Sequence, residues 1–327
     1  MTTVRELAER RAVRVVGGLL VSLAFVLVTL SRVDLAGVVA ALGRAAPAGL
    51  AIGLLFACLE ICARAWRWQY LLRPIKAVPY LRSLAYLCIG YFANTLLPVR
   101  LGDVARAYLA GTAFGVPRLA TLGTVLLERL VDGLAILAVA LLLGLAVSGG
   151  APLVATALWV CAAAALGLGA LATAAFALRG PALARSRPVA LARDGFVRLV
   201  AGADAVRTPA GLLTVVGWTL GAFLLAVVAL AAVARAVGVY LDPLQAAFVM
   251  AGVALSTAIP AAPGSLGTYE FVGMTLLVAL GFDPEASLAA IVLLHLAGTI
   301  PASLAGLVMT WHYHLRVATI AEEASPA

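Results

Sequence analysis

The sequence predicts an all-α polytopic membrane protein that forms a single integral membrane domain over residues 1–327. Hydrophobic residues make up 64% of the chain. Charged residues make up only 12%, whereas a soluble domain has about 25%. Apolar runs of about 20 residues recur from Val13 to Trp311. A run of that length can span ~30 Å of hydrocarbon.

These runs predict about six full spans and two segments that proline and glycine interrupt. The first run follows MTTVRELAERRAVR, and we interpret it as a retained first helix because no small-residue cleavage site follows it. The spans are expected at about 13–31, 47–72, 119–147, 152–178, 211–234 and 286–312, and the interrupted segments at 83–116 and 244–282.

The distribution of Lys and Arg indicates how the chain is oriented. If each interrupted segment enters and leaves on one side, fifteen basic residues are cytoplasmic and three are outside. If each segment crosses once, eight are inside and ten outside, against the positive-inside rule. We therefore expect both termini on the cytoplasmic side of the cytoplasmic (inner) membrane, with 179–210 as a cytoplasmic loop. Re-entrant hairpins and double crossings give the same count, so both stay open.

The order of the elements also predicts an inverted repeat. Each unit reads span, span, hairpin, span, and three crossings per unit reverse the orientation of the second unit. Pro98 and Pro260 lie 162 positions apart, as do Gly102 and Gly264. The expected halves are residues 1–147 and 152–312. In such repeats the discontinuous helices meet near the midplane and form the transport site.

The first interruption, LLPVRLGDVARAY, places charged residues at a break in an apolar helix. Pro98 removes a backbone donor and Gly102 permits a tight turn, which places Asp103 to cap a new half-helix. A helix start binds anions, and the guanidinium forks of Arg100 and Arg106 match a phosphate. The stretch predicts a cationic pocket of phosphate size. The alternative is a cytoplasmic loop with interfacial arginines.

The second interruption, STAIPAAPGSLGTYEF, carries two prolines, two glycines and no arginine. Ser265 is a possible helix cap, and Glu270 lies just inside the half-helix that follows. If the two interruptions face each other, Glu270 either pairs with an arginine of the first one or helps to carry a proton. The alternative is a purely structural kink.

Two predicted spans carry further charges at helical spacing. Glu128 and Asp132 lie at i and i+4, with Arg129 beside them. An unpaired ionised group deep in the bilayer costs at least ~2.5–3.5 kcal/mol, so we expect these groups to face the bundle interior and to pair there or with Arg100 and Arg106. Both a functional site and a structural network fit this pattern.

In the second span, Glu60, Arg64 and Arg67 follow i, i+4, i+7 spacing along one helix face. The two arginines either extend to lipid headgroups at the interface or bind substrate. Trp66 and Trp68 fit an aromatic belt at the cytoplasmic interface.

Two weaker signals predict nothing further. Cys58 and Cys62 share a helix face, but no nearby histidine completes a metal site, so we expect free buried thiols and no metal. GxxxG occurs at 49–53, 111–115 and 217–221, which is about the number that chance gives for 31 glycines, so these matches carry no weight.

Four motifs in order resemble the membrane domain of lysylphosphatidylglycerol synthetases, the flippase-like transmembrane family. They are LLPVRLGDVARAY, LLERLVDGLA, the Arg-Trp-rich end of the second span and IPAAPGSLGTYEF. The resemblance covers nearly the whole chain and implies a protein that moves or presents lipids. No soluble synthetase domain is expected in these 327 residues, so a lysylated lipid is less strongly implied. The family's polar positions would be Arg100, Asp103, Arg106, Glu128, Arg129, Asp132, Pro263, Gly264 and Glu270.

We therefore predict a lipid translocase that moves or presents an anionic or modified phospholipid through a central polar cavity, rather than an enzyme. The candidate substrate-binding residues are Arg64, Arg67, Asn94, Arg100, Asp103, Arg106, Glu128, Arg129, Asp132, Gly264, Tyr269 and Glu270. The alternatives are an integral-membrane transferase using a polyprenyl-linked or lipid substrate and, third, a solute transporter.

The partners expected are a membrane phospholipid or glycolipid, a separate lipid-modifying enzyme and a second copy of the chain. Nucleic acid is not expected, because the basic residues are dispersed between spans. No cofactor is expected. The chain has one lysine, Lys76, and no phosphate-binding G-x-x-x-x-G-K-[ST] loop, which excludes a nucleotide-driven motor.

Overall fold

The computed structural model describes residues 4–97, 101–148, 200–257 and 262–315. Within these ranges the regular elements are ten α-helices and two 3₁₀-helices, so the all-α prediction is confirmed. The α-helices are α1 (Val4–Leu30), α2 (Leu35–Gly43), α3 (Pro47–Leu72), α4 (Tyr80–Leu96), α5 (Leu101–Phe114), α6 (Arg118–Ser148), α7 (Pro209–Ala236), α8 (Pro243–Ser256), α9 (Thr268–Ala279) and α10 (Pro284–His312). The 3₁₀-helices are Val200–Val206 and Pro263–Ser265.

Local sequence signals determine where several helices begin. Proline occupies the first turn of α3, α7, α8 and α10, where its missing N–H leaves no helical bond unmade. The Asp242 carboxylate caps α8 by accepting hydrogen bonds from the backbone N–H groups of Leu244 and Gln245, each at 2.9 Å. Thr208 and Asp283 cap α7 and α10 with their side-chain oxygens.

Three described helices, α3, α7 and α10, are long and apolar enough to cross a membrane. A fourth span results if Gly17–Leu30 and Leu35–Gly43, which meet at a bend of 84°, form one broken crossing. These helices correspond to the spans predicted at 47–72, 211–234, 286–312 and 13–31. The chain is therefore a multi-pass membrane protein.

Two further predicted spans have different outcomes. The span predicted at 119–147 coincides with α6, a helix of 31 residues. The span predicted at 152–178 lies outside the described residues. Of the predicted loop 179–210, the structure describes the 3₁₀-helix Val200–Val206 and the residues that lead into α7.

Each interrupted segment forms two helices that pack against each other, α4 with α5 and α8 with α9. The four helices have 17, 14, 14 and 12 residues in chain order. A helix that spans the bilayer needs about 20. The breaks lie between Leu96 and Leu101 and between Ser256 and Thr268, and the described part of the second break contains Pro263, Gly264 and Gly267.

Among the described helices, α3 and α7 form the most extensive contact. Gly49 and Gly53 lie on the contacting face of α3. A Cβ atom at Gly49 would lie 2.8 Å from Ala236 Cβ and 2.9 Å from the Ala232 carbonyl oxygen. The GxxxG match at 49–53, to which the sequence analysis gave no weight, therefore lies at a helix contact, because small residues let these backbones approach closely.

We expect Gly49→Ala to lower the thermal unfolding temperature in detergent by a few degrees, because the added methyl group meets backbone that cannot move aside. Overpacking of this kind costs about 1–3 kcal/mol. Gly217→Ala on α7 is the control, since a Cβ there has no neighbour within 4 Å. Equal unfolding temperatures for the two variants would show that the α3–α7 contact is looser than described.

Candidate functional site

Eight charged side chains from α3, α5 and α6 form what we call the charge network. Its members are Glu60, Arg64, Arg67, Asp103, Arg106, Glu128, Arg129 and Asp132. Each helix places its members on one face, because they follow one another at intervals of three or four residues, apart from Arg129, which directly follows Glu128. The network thus gathers seven of the twelve predicted site residues, together with Glu60, into one interior cluster.

The centre of the network is Glu128, whose side chain is fully buried. Its carboxylate pairs with Arg67 Nη2 and with Arg106 Nη2, each at 3.1 Å. Arg67 also pairs with both carboxylate oxygens of Asp132 and donates a hydrogen bond to Thr219 Oγ1 on α7 at 2.7 Å. The network therefore connects the first part of the chain to the second through α7.

Arg106 contacts both a carboxylate and an aromatic ring within this centre. Besides pairing with Glu128, its guanidinium carbon lies 4.8 Å from the centroid of the Trp68 ring. The Trp68 indole N–H in turn donates to Thr124 Oγ1 at 3.0 Å. Arg106 is 0% exposed. The sequence predicted both that it pairs with Glu128 and that it contributes to a phosphate pocket, and the described structure shows the pair with Glu128.

Arg64 and Arg129 form the accessible edge of the network. Arg64 pairs with Glu60 at 2.7 Å and with Asp132 at 3.3 Å, and Arg129 pairs with Asp103 at 3.1 Å. Their side chains are 22% and 29% exposed. The two guanidinium groups can therefore reach a ligand while they remain paired to acids.

The first interruption is described in part. Asp103 lies in the first turn of α5, where a negative charge is favourable, and its carboxylate pairs with Arg129 inside the bundle. Gly102 packs against the backbone of α4, where a Cβ atom would meet the Asn94 N–H at 2.5 Å. The predictions of a tight turn at Gly102 and of a helix cap at Asp103 were wrong, because both residues lie inside α5, which begins at Leu101. Pro98 and Arg100 lie outside the described residues.

A cavity of about 480 Å³ opens between the two interruptions. Six of the predicted site residues line it, namely Arg64, Asn94, Arg129, Asp132, Gly264 and Tyr269. The rest of the wall contains Glu60, Tyr91 and His295, together with apolar residues and small hydroxyl side chains such as Thr95, Thr257 and Ser303. Arg67, Arg106 and Glu128 lie behind this wall and hold the lining arginines and Asp132 in place.

Glu270 has a different partner from the one that the sequence suggested. Its Oε1 atom lies 2.5 Å from His295 Nδ1 on α10, and its Oε2 atom accepts the Gly267 N–H at the start of α9. Among the described residues Glu270 therefore pairs with a histidine and not with an arginine of the first interruption. The Tyr269 ring stacks on the imidazole with 4.2 Å between centroids.

His295 was missed by the sequence analysis, although it lines the cavity. The available signal was a lone ionisable residue inside an apolar span, which is uncommon without a function or a partner. In the described part of the chain, no three His, Cys, Asp or Glu side chains are grouped to hold a metal ion.

The first transmembrane helix braces the second interruption. The Ala262 N–H donates to Ser22 Oγ at 2.7 Å, and Ser22 is buried. Gly267 has φ of 88° and lies so close to α1 that a Cβ atom would be 2.7 Å from the Ser22 carbonyl oxygen. Glycine is required here both for its left-handed backbone and for its size.

The fold and the site define a multi-pass α-helical membrane protein whose charged cavity lies between two broken helix pairs. The chain belongs to the family described as "Lysylphosphatidylglycerol synthase TM region", which it matches over residues 15–306. This match confirms the resemblance that the motifs indicate, and it leaves no length for a soluble synthetase domain within the 327 residues.

The chain is also similar to glycosyltransferase AglD of Haloferax volcanii, with 29% identity over 374 residues. The alignment covers 99% of this chain and 58% of the relative. The chain thus spans somewhat more than half the length of that relative, whose name describes the whole protein.

Proposed function

We propose that the protein binds the polar headgroup of a membrane lipid in the cavity, with the hydrocarbon tail in the bilayer, and that it serves the transfer of a group to or from that lipid. The observation that carries this proposal is the cavity itself. Two part-exposed arginines, Arg64 and Arg129, line a space of about 480 Å³ inside a membrane protein.

The size and chemistry of the cavity support a headgroup. Pockets for small ligands have volumes of about 300–1,000 Å³. Guanidinium groups bind phosphate oxygens through paired hydrogen bonds, and the hydroxyl and amide side chains of Thr95, Asn94 and Ser303 suit a sugar or glycerol hydroxyl. Ionised groups at membrane depth are characteristic of substrate pathways, so a polar ligand is the expected occupant.

The similarity to a protein named a glycosyltransferase favours group transfer on a lipid-linked substrate over translocation. The chain spans only 58% of that relative, so group transfer by this chain is a proposal. In this proposal the membrane domain holds the lipid-linked reactant, and the transfer takes place at the headgroup that the cavity presents.

Translocation of the headgroup is the second candidate, and the symmetry of the helix contacts supports it. Exchanging α3 with α7, α4 with α8, α5 with α9 and α6 with α10 converts the α4–α10 contact into the α8–α6 contact. The same exchange converts the α4–α5 contact into α8–α9 and the α5–α6 contact into α9–α10. Each of these helix pairs is in contact in the described structure. We propose that the halves 1–147 and 152–312 are inverted repeats with re-entrant hairpins, an arrangement typical of transporters.

The inverted repeat requires residue 149 to lie outside the cell and residue 186 to lie on the cytoplasmic side. We expect Gly149→Cys to react with an impermeant thiol reagent from outside the cell, and Ser186→Cys only after the membrane is opened. Both are placed in a background in which the native cysteines are replaced by serine. The opposite labelling pattern at either position would contradict cytoplasmic termini and the inverted repeat.

Two assays on the purified protein in proteoliposomes distinguish the candidates. One measures transfer of a radiolabelled sugar from a polyprenyl-phosphate donor, with and without divalent metal; the other measures whether a fluorescent phospholipid headgroup becomes accessible from outside. Transfer supports the first candidate, and headgroup movement without transfer supports the second. The absence of both, together with no co-purified lipid in native mass spectrometry, would contradict the lipid proposal.

A further inference from the structure

The described charges around the cavity balance except beside His295. The charge network contains four arginines and four carboxylates, so its formal charges cancel. Glu270 is separate from this network, and its ion-pair partner among the described residues is His295. The protonation state of the His295 imidazole therefore decides whether this wall of the cavity is neutral or carries one excess negative charge.

The geometry holds the Glu270–His295 pair firmly in one arrangement. Both carboxylate oxygens of Glu270 are engaged, one by His295 Nδ1 at 2.5 Å and the other by the Gly267 N–H at 2.7 Å. Tyr269 covers one face of the imidazole. The bond at Nδ1 leaves Nε2 on the opposite side of the ring, on a residue that lines the cavity.

We propose that His295 binds a proton when the cavity binds the phosphodiester of a lipid headgroup, so that the binding of an anionic lipid is coupled to proton uptake. The proposal rests on the lipid-binding function proposed above. With neutral His295, the Glu270 carboxylate repels an entering phosphate. The imidazolium form cancels that charge and offers an N–H donor from Nε2 as well.

Charged and titratable groups surround His295 on the helices that form the cavity. They are Glu60 and Arg64 on α3, Tyr91 on α4, Arg129 and Asp132 on α6, and Tyr269 and Glu270 on α9. The wall residues of α8 are uncharged. Imidazole is the only side chain in this set that ordinarily changes its charge between about pH 5 and pH 8, which singles out His295 as the proton acceptor.

The test measures the affinity of the full-length protein in nanodiscs for phosphatidylglycerol from about pH 5.5 to about pH 8, the range in which imidazole titrates. Phosphatidylglycerol is chosen because a phosphodiester does not titrate in this range. We expect the affinity to rise towards low pH, by up to roughly tenfold per pH unit, as uptake of one proton requires. Diacylglycerol, which lacks the phosphate, should show no such dependence.

Three variants make the assignment specific. His295→Gln should abolish the pH dependence. Glu270→Gln should weaken it and raise the affinity at pH 8, because the repelling charge is gone. His312→Gln is the matched control, since His312 is exposed at the end of α10, and it should bind like the parent protein. Unfolding temperatures are measured for all variants to identify any that fold poorly.

The outcomes separate this proposal from the one on which it rests. Phosphatidylglycerol binding that is independent of pH, or unchanged pH dependence in His295→Gln, would overturn the role of His295 while lipid binding stands. No binding of either lipid at any pH would overturn lipid binding itself. If deacylated glycerophosphoglycerol competes as well as the intact lipid, the ligand is a soluble phosphodiester, and the pH slope still decides the role of His295.

Discussion

Replacing Glu128 by glutamine is expected to destabilise the protein strongly. The substitution keeps the shape of the side chain and removes the carboxylate that pairs with both Arg67 and Arg106 at the centre of the charge network. Both arginines have side chains that are at most 1% exposed, so neither can turn to water. Removing one partner of a buried ion pair costs about 3–5 kcal/mol.

The measurement is the unfolding temperature in detergent, which we expect to fall by on the order of 10 °C. Combining Glu128→Gln with Arg106→Gln should recover part of the loss, because the charges balance again. Arg207→Gln is the control, since its pair with Asp204 lies in an exposed position and such pairs contribute little. Parent-like stability of Glu128→Gln would mean that the network is not what holds α3, α5 and α6 together.

The sequence predicted the members of the network better than their partners. Helical spacing placed Glu128 and Asp132 on one face of α6, and the energetic penalty of an unpaired charge in hydrocarbon directed that face inward. Spacing within one helix contains no information on which neighbouring helix faces it. For this reason Arg67 was expected either at the lipid headgroups or at the substrate, whereas it is 1% exposed and pairs with Glu128 and Asp132.

The two misses have the same physical origin. His295 forms its contact with Glu270 across 25 positions of the chain, and Gly49 forms its contact with α7 across more than 180. The sequence around a single histidine or a single GxxxG match does not show whether that residue forms a buried contact with another helix or occurs there by chance. The end of α4 at Leu96 and the break at Gly264 were predictable, in contrast, because proline and glycine in the sequence alter the backbone locally.

The charge network also connects α3, α5 and α6 with α7, and the cavity beside it extends to α8 and α10. Arg67 donates to Thr219 on α7, while Arg64 and Arg129 face a cavity whose far wall is α8 and α10. The buried members fix the position of the exposed ones, and the exposed ones are available to a ligand. Stability and ligand binding should therefore respond differently to substitutions at the centre and at the edge.

Arg129→Ala is the edge substitution for which we expect the largest loss of ligand binding. The Arg129 side chain is 29% exposed and lines the cavity, and its guanidinium lies 3.1 Å from Asp103. If it donates to a lipid phosphate, a hydrogen bond to a charged group contributes about 1.5–3 kcal/mol, which corresponds to a loss of affinity of roughly 10- to 150-fold. Arg129→Lys keeps the charge but not the two-pronged geometry, so its loss should be smaller yet measurable.

Because Arg129 also belongs to the network, the readout must separate binding from stability. A ligand that binds the folded protein raises its unfolding temperature, and we expect phosphatidylglycerol to do so for the parent and for Arg82→Ala, an exposed residue at the start of α4. The same lipid should give little or no rise with Arg129→Ala, whatever the starting stability of that variant. A full rise with Arg129→Ala and Arg64→Ala alike would place the headgroup elsewhere, because no other arginine lines the described wall of the cavity.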